Sequence, residues 1–140
     1  YIANLRYAAD RFATIGATVM IEPINSRIDM PGYWLDSIDK GFCLLEAVDR
    51  SNVKLQYDIY HAQIMAGDLA RTLEANLQRI GHIQIADNPG RHEPGTGEIN
   101  YPFLFEQLDR LGYEGWVGCE YKPLTTTEAG LGWLPSQRYV

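Results

Sequence analysis

The 140-residue sequence predicts an α/β fold with a parallel sheet, and three observations carry the prediction. Apolar runs with helical spacing alternate with short β-branched runs in the order α-β-α-β-α-β-α-β, the pattern of parallel strands joined by helical crossovers. Acidic residues close or follow the four short runs, at Glu22, Asp58, Asp87 and Glu120, spaced about one βα unit apart. The same runs, read by strand alternation, divide into two faces of different character.

The elements follow in order. Residues 1–15 read as a helix with Leu5, Ala8, Ala9 and Phe12 on one stripe and Gly16 as its C-terminal cap. Residues 18–22 (TVMIE) form a first strand, stopped by Pro23. The loop NSRIDMPGYW leads to a helix at about residues 35–48, with Leu35, Ile38, Phe42, Leu45 and Val48 inward. VKLQYD, residues 53–58, is the second strand, with IYH as its tail. Asp68 caps a third helix that turns Leu69, Leu73, Leu77 and Ile80 to a core, and Gly81 ends it.

HIQIADNPGRHEPGTGEINY, residues 82–101, opens as the third strand and breaks into a polar loop rich in Gly and Pro. Asn100 caps the fourth helix, with Pro102 in its first turn, Leu104, Leu108 and Leu111 inward, and Gly112 beyond its end. WVGCEY, residues 116–121, is the fourth strand. A polar tail from Thr125 holds only a short helix near Trp133.

The length fits one domain, residues 1–140, large enough to bury a core. A net charge of -6 argues against a nucleic-acid partner, whose binders carry a basic footprint. No basic amphipathic run points to a membrane surface, no apolar stretch approaches the roughly 20 residues of a span, and the amino end does not read as a signal peptide. Cys43 and Cys119 are spaced for neither a disulfide framework nor a zinc site, so the expected setting is reducing and cytoplasmic.

Parity gives the faces. Val19/Ile21, Leu55/Tyr57, Ile83/Ile85 and Val117/Cys119 form an apolar set, suited to a helix-covered side. Thr18/Met20/Glu22, Lys54/Gln56/Asp58, His82/Gln84/Ala86 and Trp116/Gly118/Glu120 form a mixed set, awkward in a dry two-sided sheet. A barrel interior with a polar top accommodates it, because active sites of (β/α)₈ barrels sit at the carboxyl ends of the strands. Glu22, Asp58 and Glu120 lie at such ends on the mixed face. Asp87 shares parity with Ile83 and Ile85, so Gln84 takes the fourth place instead. Three carboxylates and an amide oxygen are hard ligands that suit Mg²⁺ or Mn²⁺, and without a cation the carboxylates would repel one another. Any one of these acids alone reads more readily as a solvated strand end; the shared parity of all four favours a site.

IEPIN with DMPGY, QYDIYH, HIQIADNPGRHEPGTGEINY and GCEYKP together resemble the hydroxypyruvate isomerase family, which includes 2-oxo-tetronate isomerases and belongs to the xylose-isomerase-like barrels. The resemblance runs over the whole chain and implies four (β/α) units, about the second half of a TIM barrel; a whole barrel takes about 250 residues. It implies a divalent metal, Mg²⁺ or Mn²⁺, held by Glu22, Asp58, Gln84 and Glu120, with Glu22 and Glu120 as the proton-transfer pair. His61, in the D-x-x-H pattern, matches a substrate-contacting position; from the residues alone it reads equally as a surface imidazole at a loop start. The implied reaction converts hydroxypyruvate to tartronate semialdehyde through an enediolate, on a small hydroxy-keto acid or sugar. Four parallel strands leave two open edges, which implies an amino-terminal half-barrel elsewhere, association of two half-barrels, or a rearranged fold.

Other polar residues have two readings. Arg91, His92 and Glu98 lie in the loop after the third strand. Arg91 can pair with a substrate carboxylate in bidentate fashion or, the safer reading, be a solvated loop charge. Lys54 and His82 read as structural residues of lower layers, with Lys54 a possible charge partner of Asp58. Gly95 and Gly97 serve turn geometry, and GTG lacks the helix start and Lys of a phosphate loop. Tyr33 and Trp34 lid the pocket or pack on its rim. The competing functions are a related sugar epimerase or dehydratase, and a non-catalytic half-barrel assembly module. An endonuclease is disfavoured by three histidines and the negative charge.

Overall fold

The computed structural model describes residues 1–134. Its strands β1 (Val19–Ile21), β2 (Val53–Asp58), β3 (Ile80–Ile85) and β4 (Val117–Cys119) form one parallel sheet in sequence order. When parallel neighbours follow one another in one direction, right-handed crossovers put every connecting helix on the same side. The crossover helices here are α2 (Ile38–Val48), α4 (Leu69–Asn76) and α5 (Tyr101–Arg110), preceded by α1 (Ile2–Ala13). Leu55, Tyr57, Ile83 and Ile85 are sealed beneath them with Phe42, Leu44, Leu73, Leu104 and Leu108 in one core. The opposite face has no helices on it among the described residues. Met20 is 40% exposed there, and Lys54, Gln56, His82 and Gln84 are partly exposed.

Local chemistry sets the element ends. Ser37 caps α2 by accepting from the Lys40 backbone N–H, so the helix begins after Leu35, which is buried in the preceding loop. Asn100 caps α5 by accepting from the Phe103 N–H. Gly16 and Gly112 take the left-handed conformation expected past the ends of α1 and α5. In α1 Ala9 is buried and Leu5 packs on the core, whereas Phe12 points outward at 46% exposed.

Three local expectations change. The segment after β2 is not a strand tail: it is the helix α3 (Ile59–Met65), capped by Asp58 itself. Asp68 begins α4 in a left-handed conformation and holds Arg71 instead of capping with its side chain. Gly81 does not end a helix. A 3₁₀ turn (Leu77–Arg79) intervenes, and Gly81 lies inside β3.

Gly81 matters for the site. The β2–β3 register jumps between Leu55↔Ile80 and Gln56↔His82, leaving Gly81 as the extra, bulged residue. A Cβ there would meet Lys54 Cβ and Met20 Cε, each at 2.8 Å, so only glycine fits. Beyond the bulge, Asp58 pairs with Gln84, and Gln84 with Gly118. Without it, Asp58 would face Ile83. The tail helix is α6 (Thr127–Gly130), capped by Thr126. No helix among the described residues is long and apolar enough to cross a membrane.

Candidate active site at the carboxyl end of the sheet

Asp58 stands at the end of β2 with no solvent exposure. Its Oδ1 accepts from the Tyr60 and His61 backbone N–H groups, at 2.8 and 3.2 Å, and so starts α3. Its Oδ2 is buried without a hydrogen-bond partner. An orphaned carboxylate oxygen is costly in a dry site unless a proton or cation attends it. Burial, reinforced by Glu120 and Glu22, pushes its pKa up to about 7 against the opposing pull of the His61 N–H and Arg91.

The structure brings Glu22, Asp58, His61 and Glu120 together: one ligand atom from each lies within 4.8 Å of the others. Glu22 follows β1 and is half-buried; burial and then the Glu120 charge raise its pKa. Glu120 follows β4, and its backbone N–H donates to Ile85 carbonyl, which anchors it to β3. Gln84 sits beside Asp58 in register, and its Oε1 accepts from Gln56 Nε2 at 2.6 Å. Asp87 is kept out of this cluster. It is buried behind the loop, where its carboxylate accepts from the N–H groups of Asn88, Gly95 and Ile99.

His61 is buried on α3, not a surface imidazole. Burial, aided by the Arg91 charge, lowers its pKa to about 4, so the ring is neutral near pH 7. Its Nε2 lies 3.9 Å from Asp58 Oδ2 and its Nδ1 meets Asn25 Nδ2 at 2.7 Å. Arg91 is likewise no solvated loop charge. Its Nη2 lies 2.6 Å from Glu120 Oε2, its Nη1 3.6 Å from Asp29 Oδ1, and the guanidinium sits 5.1 Å above the Tyr60 ring. The loop that carries it is stapled on both sides: Arg91 N–H donates to Asp87 carbonyl, and Lys122 N–H donates to Arg91 carbonyl.

The remaining candidates are held by partners outside the four-residue cluster or pack at its rim. Lys54 Nζ holds the Gln78 carbonyl at 2.6 Å and is no partner of Asp58. His92 Nδ1 bonds the Lys122 carbonyl, and Glu98 takes Gln63 and Asn88 as partners. A Cβ on Gly97 would collide with the Asn88 carbonyl, which accounts for that glycine. Trp34 is exposed and meets Tyr1 edge-on, while Tyr33 packs against the core. Asn25, Asp29, Gln56 and Tyr60 were not singled out in the sequence. Asn25 had a usable signal, since Asn opening a turn commonly accepts from backbone N–H groups further on.

Residues 1–137 match the model of the xylose isomerase-like TIM barrel family. The chain belongs to this family. Its strand-end cluster therefore occupies the face where barrels of this kind keep their active sites. The chain is 55% identical over 134 residues to the 2-oxo-tetronate isomerase of Cupriavidus necator, covering 96% of this chain and 51% of that protein. It is 51% identical over 137 residues to the hydroxypyruvate isomerase of Escherichia coli, covering 98% of this chain and 53% of that protein. Among solved structures it resembles a Brucella melitensis protein described as an AP endonuclease, family 2, with a TM-score of 0.91 and 52% identity over 94% of this chain and 51% of that one. The chain spans about half the length of the curated relatives it matches. The four parallel strands are thus a half-complement of TIM-barrel (β/α) units, and the resemblance read from the motifs holds.

Proposed function

We propose that this chain carries the metal-dependent, proton-transferring half of an isomerase that converts hydroxypyruvate to tartronate semialdehyde, or shifts the carbonyl of a 2-oxo-tetronate to the neighbouring carbon. The observation that carries the reading is the buried, unpartnered Asp58 Oδ2 facing Glu22 and Glu120. A divalent cation, Mg²⁺ or Mn²⁺, fits that donor set: it would relieve the repulsion among three carboxylates and satisfy the orphaned oxygen. Glu22, Asp58 and Glu120 would hold it, with the second lone pair of Gln84 Oε1. When bound, the cation acidifies the C–H beside the substrate carbonyl and stabilises developing enediolate charge.

The chain's own residues do the rest. One glutamate takes a proton from the hydroxymethyl carbon, and the other delivers one to the former carbonyl carbon, while the hydroxyl proton passes between the two oxygens. Glu22, whose basicity is raised by burial and by Glu120, is suited to the first task. Arg91 holds the substrate carboxylate through its planar guanidinium. His61 donates from Nε2 to a substrate oxygen. The uncovered sheet face and the two open edges fit completion by four further (β/α) units, from an amino-terminal segment or a second copy.

The nuclease suggested by the name of the Brucella melitensis neighbour is less well supported. Only His61 of the three histidines joins the cluster, and a carboxylate-lined site repels a phosphodiester. The deciding assay follows hydroxypyruvate conversion in chelator-treated protein before and after Mn²⁺ is restored, beside Glu120→Gln. Conversion that returns with metal and is lost in the variant supports the isomerase. No conversion with metal bound favours the non-catalytic half-barrel.

A further inference from the structure

Asn25 lies in the loop after β1, wholly buried, and both ends of its amide are engaged. Its Oδ1 accepts from the Ile28 and Asp29 backbone N–H groups, each at 3.0 Å. Its Nδ2 reaches Asp29 Oδ2 and, at 2.7 Å, His61 Nδ1. The orientation of this amide is not arbitrary. Backbone N–H groups only donate, so the atom they point at is the oxygen and the atom against His61 is the nitrogen. An amide nitrogen also only donates. His61 Nδ1 must therefore offer a lone pair, and an imidazolium, with protons on both nitrogens, would set N–H against N–H.

From this geometry we infer that Asn25 is a positioning residue that locks His61 in the Nε2–H tautomer, making His61 a hydrogen-bond donor at the carboxylate cluster and not a metal ligand. A ring has one proton to place when neutral, and with Nδ1 accepting it sits on Nε2. That nitrogen is the one 3.9 Å from Asp58 Oδ2. A metal ligand needs a bare nitrogen lone pair, which Nε2 then lacks. Of the four residues whose donor atoms converge, His61 thus drops out, leaving the carboxylates of Glu22, Asp58 and Glu120. An N–H fixed in a buried site stabilises a substrate oxygen as charge develops on it, without reorganising during the reaction.

That consequence rests on the isomerase reading, whereas the tautomer does not. Asp29 completes the device. It accepts from the same Asn25 nitrogen and lies within 3.6 Å of Arg91, so the loop after β1 orients His61 and sits beside the guanidinium from one turn.

The test is a long-range ¹H–¹⁵N spectrum of the imidazoles in ¹⁵N-labelled protein without substrate or added metal. With three histidines in the chain, His82→Gln and His92→Gln assign the His61 signals by elimination. The expected pattern for His61 is a bare Nδ1 and a protonated Nε2. Asn25→Asp keeps an oxygen for the Ile28 and Asp29 N–H groups but turns an acceptor toward Nδ1. It should move the proton onto Nδ1, or protonate both nitrogens. A wild-type His61 with its proton on Nδ1, or a folded Asn25→Asp protein with an unchanged His61 pattern, overturns the inference. If Asn25→Asp does not fold, the wild-type spectrum alone decides. An inactive protein that shows the Nε2–H pattern keeps this inference and counts only against the isomerase.

Discussion

Arg91 Nη2 lies 2.6 Å from Glu120 Oε2, tying the loop after β3 to the residue that ends β4. The guanidinium also sits 5.1 Å above the Tyr60 ring, and its backbone is held in a left-handed conformation with φ 55. A non-glycine residue kept there by hydrogen bonds on both sides is positioned by its surroundings, as at many functional sites. Lysine offers the same charge without the planar fork. Arg91→Lys should therefore raise KM for hydroxypyruvate roughly 10- to 100-fold, the scale of a lost charge-assisted hydrogen bond, with a smaller change in kcat. Steady-state kinetics check it, and an unchanged KM would remove Arg91 from the substrate.

Glu22→Gln and Glu120→Gln keep shape and remove the proton-accepting group. Each should lower kcat by about 10²- to 10⁴-fold, the range for loss of a general base. Circular dichroism should show the fold intact, because neither residue belongs to the apolar core.

Asp58 gives a pH signature. Its folded pKa, near 7, lies above the ordinary carboxylate value of 3.8. Between those values the folded state binds more protons than the unfolded one, so this group lowers stability as pH rises from about 4 to about 7. Asp58→Asn keeps the cap oxygen and removes the charge. In chelator, the variant should exceed wild type in stability at about pH 8 by about 2 kcal/mol, converging near pH 4, as denaturant titrations would show. Mn²⁺ should stabilise wild type and leave the variant unaffected. A wild type more stable than the variant at high pH without metal would contradict the assignment of an uncompensated buried charge.

Gly81→Ala tests the bulge. The added methyl meets Lys54 and Met20 and should cost about 1–3 kcal/mol while weakening Mn²⁺ binding, since the register that sets Gln84 beside Asp58 depends on it. Gly112→Ala meets no atom within 4 Å but has φ 72, so it should cost about 1 kcal/mol and leave metal binding unchanged. Thermal melts and metal titrations of the two variants separate the effects.

Alternation was the most informative signal in the sequence. β2 matches its expected bounds, and parity distinguished Gln84, beside Asp58 in register, from Asp87, which instead knots its loop through three backbone N–H groups. Periodicity failed where one residue serves two elements. Asp58 ends a strand and caps the next helix with the same side chain, so IYH, strand-like by composition, is helical. Gly81 reads as a helix stop because a glycine after an apolar stripe commonly is one; what excludes a side chain there is Lys54 on the adjacent strand and Met20 two strands away. Arg91, Asn25 and Asp29 meet His61 and Glu120 only through the fold, and no local pattern in the sequence pairs them.

The central claim is that one glutamate removes a proton from one carbon and the other supplies a proton to its neighbour. Turnover of hydroxypyruvate in D₂O, with the aldehyde product reduced as it forms and an enzyme-free blank, tests it directly. The account predicts solvent deuterium on the carbon that was the carbonyl, in the Mn²⁺-loaded wild type. Product free of solvent deuterium over many turnovers would mean direct hydride transfer and would contradict it.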